Sequence, residues 1–472
     1  MMSLSEAANV LGARVTSGEV VFTGVSTDTR SLKAGDLFVA LRGERFDGHG
    51  FLEAASAAGA AAAMIDSAAD AGSSPLPALV VDDTRLALGR LAAHWRSRFS
   101  LPLVALTGSS GKTTVKEMLA AILREAAAAV PGAGAAGESV LATRGNLNND
   151  IGMPLTLLEL RPAHRYAVIE MGMNHGGEIR YLSKLAAPDV ALITNAGRAH
   201  IEFLGSEEAI ARAKGEIFEG LDDGGTAVIN ADERFAPMWR ELAGKRRRIE
   251  FGVDQAAHLT ATYEPRALES EIVLKSPTGK ATTTLRAPGK HNVRNALAAA
   301  AGAVALEIPL HTVAAGLARY SGVKGRLQIN RAFNGAMLID DTYNANPESV
   351  RAAIDVLAQT PGRRVLVFGD MGELGARAPQ LHREIGAYAR TAGLERVLAL
   401  GEHSQATVTA FGEGANHYTR IEELIAELRA ALDRDVTVLV KGSRFMKMER
   451  VVAAIAADAA EERRERGEEK KQ

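Results

Sequence analysis

Apolar residues along this chain recur in two alternating rhythms. Short runs with no internal polar position, at residues 101–106, 166–169, 190–193 and 227–229, are bounded by turn formers and read as buried strands. Between them lie stretches with helical spacing. Val115, Met118, Leu119, Ile122 and Leu123 fall at i, i+3, i+4, i+7 and i+8, and residues 207–221 form a further helical pattern. Such alternation predicts right-handed crossovers and a parallel sheet. A more strand-rich patch, residues 259–287, reads as an added antiparallel lobe. The rhythm restarts near Met337, with strand candidates at 337–340, 365–368, 397–400 and 436–440. Asn346-Pro347 offers a helix cap followed by proline at the first helical position. The first hundred residues make a further unit, with strands at 20–22, 36–41 and 78–81 and helices over 51–63 and 86–99. Residues 126–137 form a small-residue loop, and 461–472 are nearly all charge.

Composition narrows the class. A chain of 472 residues is too long for one core, so several domains are expected. Charge is nearly balanced, 55 basic against 57 acidic residues, which leaves no footprint for nucleic acid. The absence of cysteine excludes disulfides, thiolate catalysis and cysteine metal sites. Met1-Met2-Ser3-Leu4-Ser5-Glu6 lacks the basic-then-apolar pattern of a signal peptide, and no stretch is apolar enough to span a membrane. A soluble cytoplasmic protein is expected.

The chemistry concentrates where the first long helical stripe begins. Thr107-Gly108-Ser109-Ser110-Gly111-Lys112-Thr113-Thr114 places a glycine loop, a lysine and hydroxyls between a strand and a helix start. Glycines let backbone N–H groups turn toward an anion, and the helix N-terminus adds its positive end. Lys112 is placed to reach outer phosphates and Thr113 to hold a magnesium ion. The usual loop has four residues between its glycines; here there are two, and Leu106 stands where the first glycine is expected. That departure argues against a kinase or GTPase. Ligands of open parallel sheets sit beyond the carboxyl ends of the strands. Glu170, at the end of Val168-Ile169-Glu170, is therefore a candidate magnesium ligand. His200, in Thr194-Asn195-Ala196-Gly197-Arg198-Ala199-His200, reads from the residues alone as a loop histidine, and Lys214 as a surface helix lysine.

Four segments together carry a resemblance. They are Gly145-Asn146-Leu147-Asn148-Asn149-Asp150-Ile151-Gly152, Asn195 to His200, Ala211-Arg212-Ala213-Lys214-Gly215-Glu216, and Gly289-Lys290-His291-Asn292-Val293-Arg294-Asn295. With the short phosphate loop, in this order, they resemble the Mur ligases, which add amino acids to the peptidoglycan precursor. The likeness runs from about Ser26 to Arg444. It implies a smaller N-terminal α/β domain binding a UDP-linked substrate (1–99), a central parallel-sheet P-loop ATPase-like domain (100–319) and a C-terminal Rossmann-like α/β domain (320–472). Ile339-Asp340-Asp341-Thr342-Tyr343-Asn344-Ala345-Asn346-Pro347 and Phe368-Gly369-Asp370-Met371-Gly372-Glu373-Leu374-Gly375 resemble the members that join D-alanyl-D-alanine to UDP-N-acetylmuramoyl-tripeptide. No Asp-Asn-Pro-Arg segment of the diaminopimelate-adding members is present.

The resemblance implies roles. ATP would be held by Gly108, Ser109, Ser110, Gly111, Lys112, Thr113 and Thr114, with Asn292 at the adenine, Asp341 near the ribose and Arg326 at the terminal phosphate. From the residues alone, Asn292 and Asn295 also read as helix-capping amides and Arg326 as a hinge-surface arginine, and Asp340 is not separated from Asp341. Thr113, Glu170, His200 and Lys214 would bind two magnesium ions, Lys214 as a carbamate made from carbon dioxide. Ser26, Thr27, Asp28, Arg30 and Asp47 would meet the UDP-linked substrate, joined by Asn148, Asn149, Tyr343, Asn344 and Asn346. Lys112, Glu170, His200, Lys214 and Arg326 would form the catalytic set, in a monomer whose third domain closes on the second. Another Mur-type or folylpolyglutamate-type amide ligase, or a non-catalytic nucleotide-binding subunit, are the alternatives.

Overall fold

The computed structural model describes residues 1–472 apart from 44–45, 70–71, 73, 130–138, 198–200, 267–268, 458–472 and the side chain of Ile201. The charged end and most of the small-residue loop lie outside the described residues. Three principal sheets follow one another along the chain.

The first sheet has five strands, in the order Arg14–Val15, Ala78–Val81, Ala62–Asp66, Asp36–Val39, Gly24–Ser26, parallel except for its first pair. The helix expected over 51–63 is shorter. A 3-10 turn, Gly48–Phe51, leads into the helix Leu52–Ala57, and Ala62–Asp66 is a central strand with all five residues buried. Alanine favours helix, but burial between two sheet faces decides the outcome.

The second sheet has nine strands. Leu103–Thr107 lies third from one edge, with Tyr166–Glu170 and Val140–Ala142 on the edge side and Val190–Ile193, Thr226–Asn230 and Arg247–Gly252 on the other, all parallel. Continuous apolar runs form these strands because both faces are covered. The strand-rich patch is no separate lobe. Leu259–Pro265 pairs in parallel with Arg247–Gly252, and Ser270–Ser276 and Gly279–Leu285 extend the same sheet antiparallel. The pattern over 207–221 is a helix, Glu207–Gly215, that tightens into a 3-10 helix, Glu216–Gly220.

The third sheet has six strands, in the order Gln328–Arg331, Met337–Asp341, Val436–Lys441, Arg363–Gly369, Arg396–Leu400, Ala415–Tyr418. All pairs but the first are parallel. The last parallel strand in sequence, Val436–Lys441, returns to lie third from that end, between Met337–Asp341 and Arg363–Gly369.

The cores differ at the two joints. One apolar cluster runs from Met2 to Ala243 and includes both Trp95 and Met153. The helix Thr84–Ser97 carries it across: Trp95 Nε1 donates to Leu160 O at 3.1 Å, and Arg96 Nε to Ala186 O at 3.1 Å. No buried apolar cluster among the described residues joins the second sheet to the third.

Candidate active site

The phosphate loop is shaped by what it touches. Leu106 is fully buried in the strand Leu103–Thr107, so the chain is still extended where the usual loop has its first glycine. Gly111 caps the helix Lys112–Ala128 at φ 79°, where a side chain would be strained, and a Cβ there would sit 2.3 Å from Asn295 Oδ1. A Cβ on Gly108 would meet Thr194 Oγ1 at 1.8 Å. The segment after Ile193 braces the loop. Ser110 N donates to Asn195 Oδ1 at 2.8 Å, while Asn195 Nδ2 and Thr194 Oγ1 each donate to Ser110 O at 2.9 Å. Asn195, read from sequence only as part of a motif, is thus a support of the loop.

Four side chains converge at the helix start. Thr113 Oγ1 lies 2.8 Å from Glu170 Oε2 and accepts from Arg326 Nη2 at 2.9 Å. Asn148 Nδ2 donates to Glu170 Oε1 at 2.8 Å. Arg326 crosses from the C-terminal side; its guanidinium lies 4.2 Å over the Tyr343 ring, and its buried Nε has no hydrogen-bond partner. An unpaired buried donor of a cation points to an anionic ligand. Asn346 bridges the same joint, donating from Nδ2 to Ser110 Oγ at 3.2 Å while its Oδ1 caps the helix Pro347–Ala358.

Of these residues Asn148, Glu170, Arg326, Tyr343 and Asn346 wall a cavity of about 840 Å³, lined also by Lys112, Asn146, Asn292, Asp341 and Asn344, while Thr113 reaches it only through Glu170 and Arg326. Asp341 faces it, with Oδ2 2.5 Å from Lys441 Nζ, whereas Asp340 turns away and accepts from Thr342 N and Oγ1. Asn292 lines the cavity too, but its amide is engaged locally, donating to Pro288 O at 2.8 Å and accepting from Asn295. Sequence reasoning gave no role to Glu233, Arg294 and Lys441, which also line it; Arg294 stood within the segment from Gly289 to Asn295 and Lys441 at a strand end, while Glu233 carried no signal.

Cations and carboxylates both line this region, and burial shifts several of them. Burial holds the Lys112 ammonium below its ordinary pKa, with Glu170 opposing and Arg326 adding to the shift; its Nζ donates to Gly108 O at 2.8 Å. Burial lowers Lys214 much further, and Lys112 repels it in addition. Lys214 sits in the helix Glu207–Gly215 at 2% exposure, so it is not the surface lysine its sequence context suggested. Burial also pushes Asp341 up, against the pull of Lys441. His291 is pushed down to about 4 by burial, then by Lys441 and Arg294.

The remaining candidates fall elsewhere. His200 lies outside the described residues. Ser26, Thr27, Asp28, Arg30 and Asp47 do not line the cavity. Asp28 takes the Arg30 backbone N–H at 2.9 Å and its guanidinium at 2.6 Å, and Ser26 Oγ donates to Asp28 O at 3.0 Å. Asp47 accepts from His49 N at 3.0 Å. Asn149 Oδ1 accepts from Gly152 N at 2.8 Å, at the start of the helix Gly152–Leu158, and does not line the cavity.

A hydroxyl and one carboxylate side by side suit a hard, largely hydrated cation such as magnesium. Among the described residues no group of three or more His, Asp or Glu gathers as a transition-metal site would require.

Comparison with known proteins agrees with this arrangement. Family models match in chain order: Mur ligase family, catalytic domain at residues 21–96; Mur ligase middle domain at 106–303; and Mur ligase, glutamate ligase domain at 325–444. The UDP-N-acetylmuramoyl-tripeptide–D-alanyl-D-alanine ligase of Escherichia coli (strain K12) is 44% identical over 463 residues, 96% of this chain and 98% of the relative. A crystal structure of MurF from Acinetobacter baumannii has a TM-score of 0.88 at 37% identity, covering 96% of this chain and 98% of that one. MurF ligase from Thermotoga maritima, solved in complex with ADP, has a TM-score of 0.79 at 28% identity, covering 92% and 97%. A phosphate loop, a strand-tip acid and a cross-domain arginine around one cavity, with likeness over nearly the whole chain, place this protein in the Mur ligase family.

Proposed function

We propose that this chain is the ATP-dependent ligase that joins D-alanyl-D-alanine to UDP-N-acetylmuramoyl-tripeptide, forming ADP and phosphate in peptidoglycan precursor synthesis. The observation that carries the reading is that Lys112, Glu170 and Arg326, from two domains, line one cavity, with Thr113 bonded to both Glu170 and Arg326.

Amide formation needs a better leaving group than carboxylate oxygen. The tripeptide carboxylate therefore attacks the terminal phosphorus of ATP, ADP leaves, and the acyl phosphate is then attacked by the dipeptide amine, which expels phosphate. Little covalent work falls to the protein; positioning and charge neutralisation dominate. Lys112 and Arg326 supply positive charge where the transferring group becomes more negative. The loop from Gly108 to Thr114 cradles the phosphates. Asn292 and Asp341 serve the nucleoside end. Thr113, Glu170, His200 and a carbamylated Lys214 would hold magnesium, which supplies further charge neutralisation when bound.

Lys214 suits that modification. Burial favours its neutral amine, the form that attacks carbon dioxide; one proton is released, and the carbamate anion rests near the Lys112 cation. We assign residues 1–99 to the UDP-linked substrate through Ser26, Thr27, Asp28, Arg30 and Asp47, 100–319 to ATP, and 320–472 to the dipeptide through Tyr343, Asn344 and Asn346, with Asn148 and Asn149 near the reacting end. A cytoplasmic monomer fits this reading; no helix among the described residues is long and apolar enough to cross a membrane.

The test is phosphate release by purified protein given ATP, UDP-N-acetylmuramoyl-tripeptide and D-alanyl-D-alanine. Release that requires both co-substrates and yields the UDP-linked pentapeptide supports the reading. Nucleotide binding without release overturns it. Carbon-13 bicarbonate should give a carbamate signal lost in Lys214→Ala, and acetate should restore part of that variant's turnover. No signal, together with an active alanine variant, refutes the carbamate.

A further inference from the structure

Lys116 lies one helical turn beyond Lys112, on the helix Lys112–Ala128, and is 1% exposed. Its neighbours one turn further along that helix are apolar: Leu119 and Ala120 are both fully buried. An ammonium placed there loses hydration, and a leucine or methionine would fill the same space without that loss. What the charge gains is geometric. Lys116 Nζ donates to the backbone carbonyl of Thr143 at 2.5 Å and pairs with Glu117 Oε1 at 2.6 Å. Thr143, itself 1% exposed, directly follows the edge strand Val140–Ala142. Its N–H donates to Val168 O at 3.1 Å, and its Oγ1 accepts from the backbone N–H of Glu170 at 2.9 Å. Three elements are thus fastened together at one point: the helix that carries Lys112 and Thr113, the edge strand, and the tip of the strand that presents Glu170.

We infer that Lys116 is a positioning residue for the Glu170 carboxylate, acting through Thr143. Resting on the magnesium role given to Glu170 above, the inference says why the acid stands beside Thr113. Lys116 holds the Thr143 carbonyl, and the Thr143 hydroxyl holds the peptide N–H from which the Glu170 side chain springs. Released from this clamp, the strand tip and its carboxylate would lose their fixed distance from the helix start. Partners one shell beyond a metal's ligands typically change its affinity by about 10- to 100-fold.

Manganese bound with ADP, followed by electron paramagnetic resonance, reads the site without turnover. Lys116→Met keeps length and apolar packing but removes the donor. Thr143→Val removes the hydroxyl and keeps the carbonyl, while Thr143→Ser keeps both. Lys116→Met and Thr143→Val should each weaken manganese binding by roughly tenfold, the serine variant should match wild type, and the double variant should be no weaker than either single one. Metal-free ADP binding and the unfolding midpoint check that the variants remain folded. Glu170→Gln separates the two layers of the argument. Wild-type manganese affinity in that variant would remove the metal reading of Glu170 itself. Loss in Glu170→Gln with unchanged affinity in folded Lys116→Met and Thr143→Val would overturn the positioning role alone. Losses that add in the double variant would overturn it too, since two independent sites would then be at work.

Discussion

The two joints of this molecule are built from opposite materials. Between the first and second sheets the joint is core: Trp95 and its helix share one apolar cluster with the middle domain. Between the second and third sheets it is polar: Arg326 reaches Thr113, Asn346 reaches Ser110, and Glu348 lies beside Gly197. Burying apolar area fixes a geometry without regard to ligands. A seam of hydrogen bonds to solvent-competent groups is weaker and exchanges partners readily. The first joint therefore serves stability and the second serves chemistry, and substitutions should sort accordingly.

Lys112→Ala should separate the two most sharply. It removes the loop's charge and one hydrogen bond to Gly108 O, so turnover should fall about 10³-fold or more, as loss of a preorganised electrostatic group does, with only a small change in the melting midpoint. Near-normal turnover would break the assignment of the polar joint. Trp95→Ala is its counterpart at the apolar joint. It should cost about 3–5 kcal/mol in denaturant unfolding, with kcat of the surviving folded protein near wild type. A specific loss of kcat at unaltered stability would show that both joints serve the chemistry. Arg326→Lys keeps the charge and loses the fork that reaches Thr113 over Tyr343. Turnover should drop by about tenfold to a hundredfold, more than ATP affinity does, in steady-state and binding measurements. Asn346→Ala removes a helix cap as well as the bridge to Ser110, and should cost about 1 kcal/mol in unfolding alongside a severalfold drop in kcat.

The smallest effect concerns pH. His291, on the middle-domain side of the seam, titrates near 4 when folded against 6.5 ordinarily, because burial, Lys441 and Arg294 oppose its charge. The unfolded chain binds its proton first, so this group's contribution is complete above about 6.5 and is lost as pH falls toward 4. His291→Asn should flatten the stability profile across that window in urea titrations. An unchanged profile would place the acid sensitivity elsewhere.

What the sequence disclosed follows the same division. Lys112, Thr113 and Glu170 were legible because a loop between strand and helix, and the end of an apolar strand, are local signals with a fixed meaning. Asn195 was not legible as a brace of Ser110, since that contact joins positions 85 residues apart. Glu233 and Arg294 line the cavity through equally distant convergence. Asp340 and Asp341 could not be separated in sequence because neighbours on a strand face opposite sides, and only the packed sheet says which side is the cavity. The strand Arg247–Gly252 escaped notice for another reason: it opens on two exposed arginines, and its place is set by pairing with Thr226–Asn230. The alanine-rich run to residue 63 misled because a good helix former was buried in a sheet.

The pairing of Met337–Asp341 with Val436–Lys441 bears on how the protein is made. The strand that ends in Asp341 receives its inner neighbour, and Asp341 its lysine, only after 100 further residues have been added. Domains fold roughly in the order in which they leave the ribosome. The phosphate loop thus emerges with its own sheet long before the opposite wall of the cavity can exist. An unfinished chain carries the lysine and hydroxyls that greet a nucleotide but lacks the paired Asp341 and Lys441 that complete the enclosure.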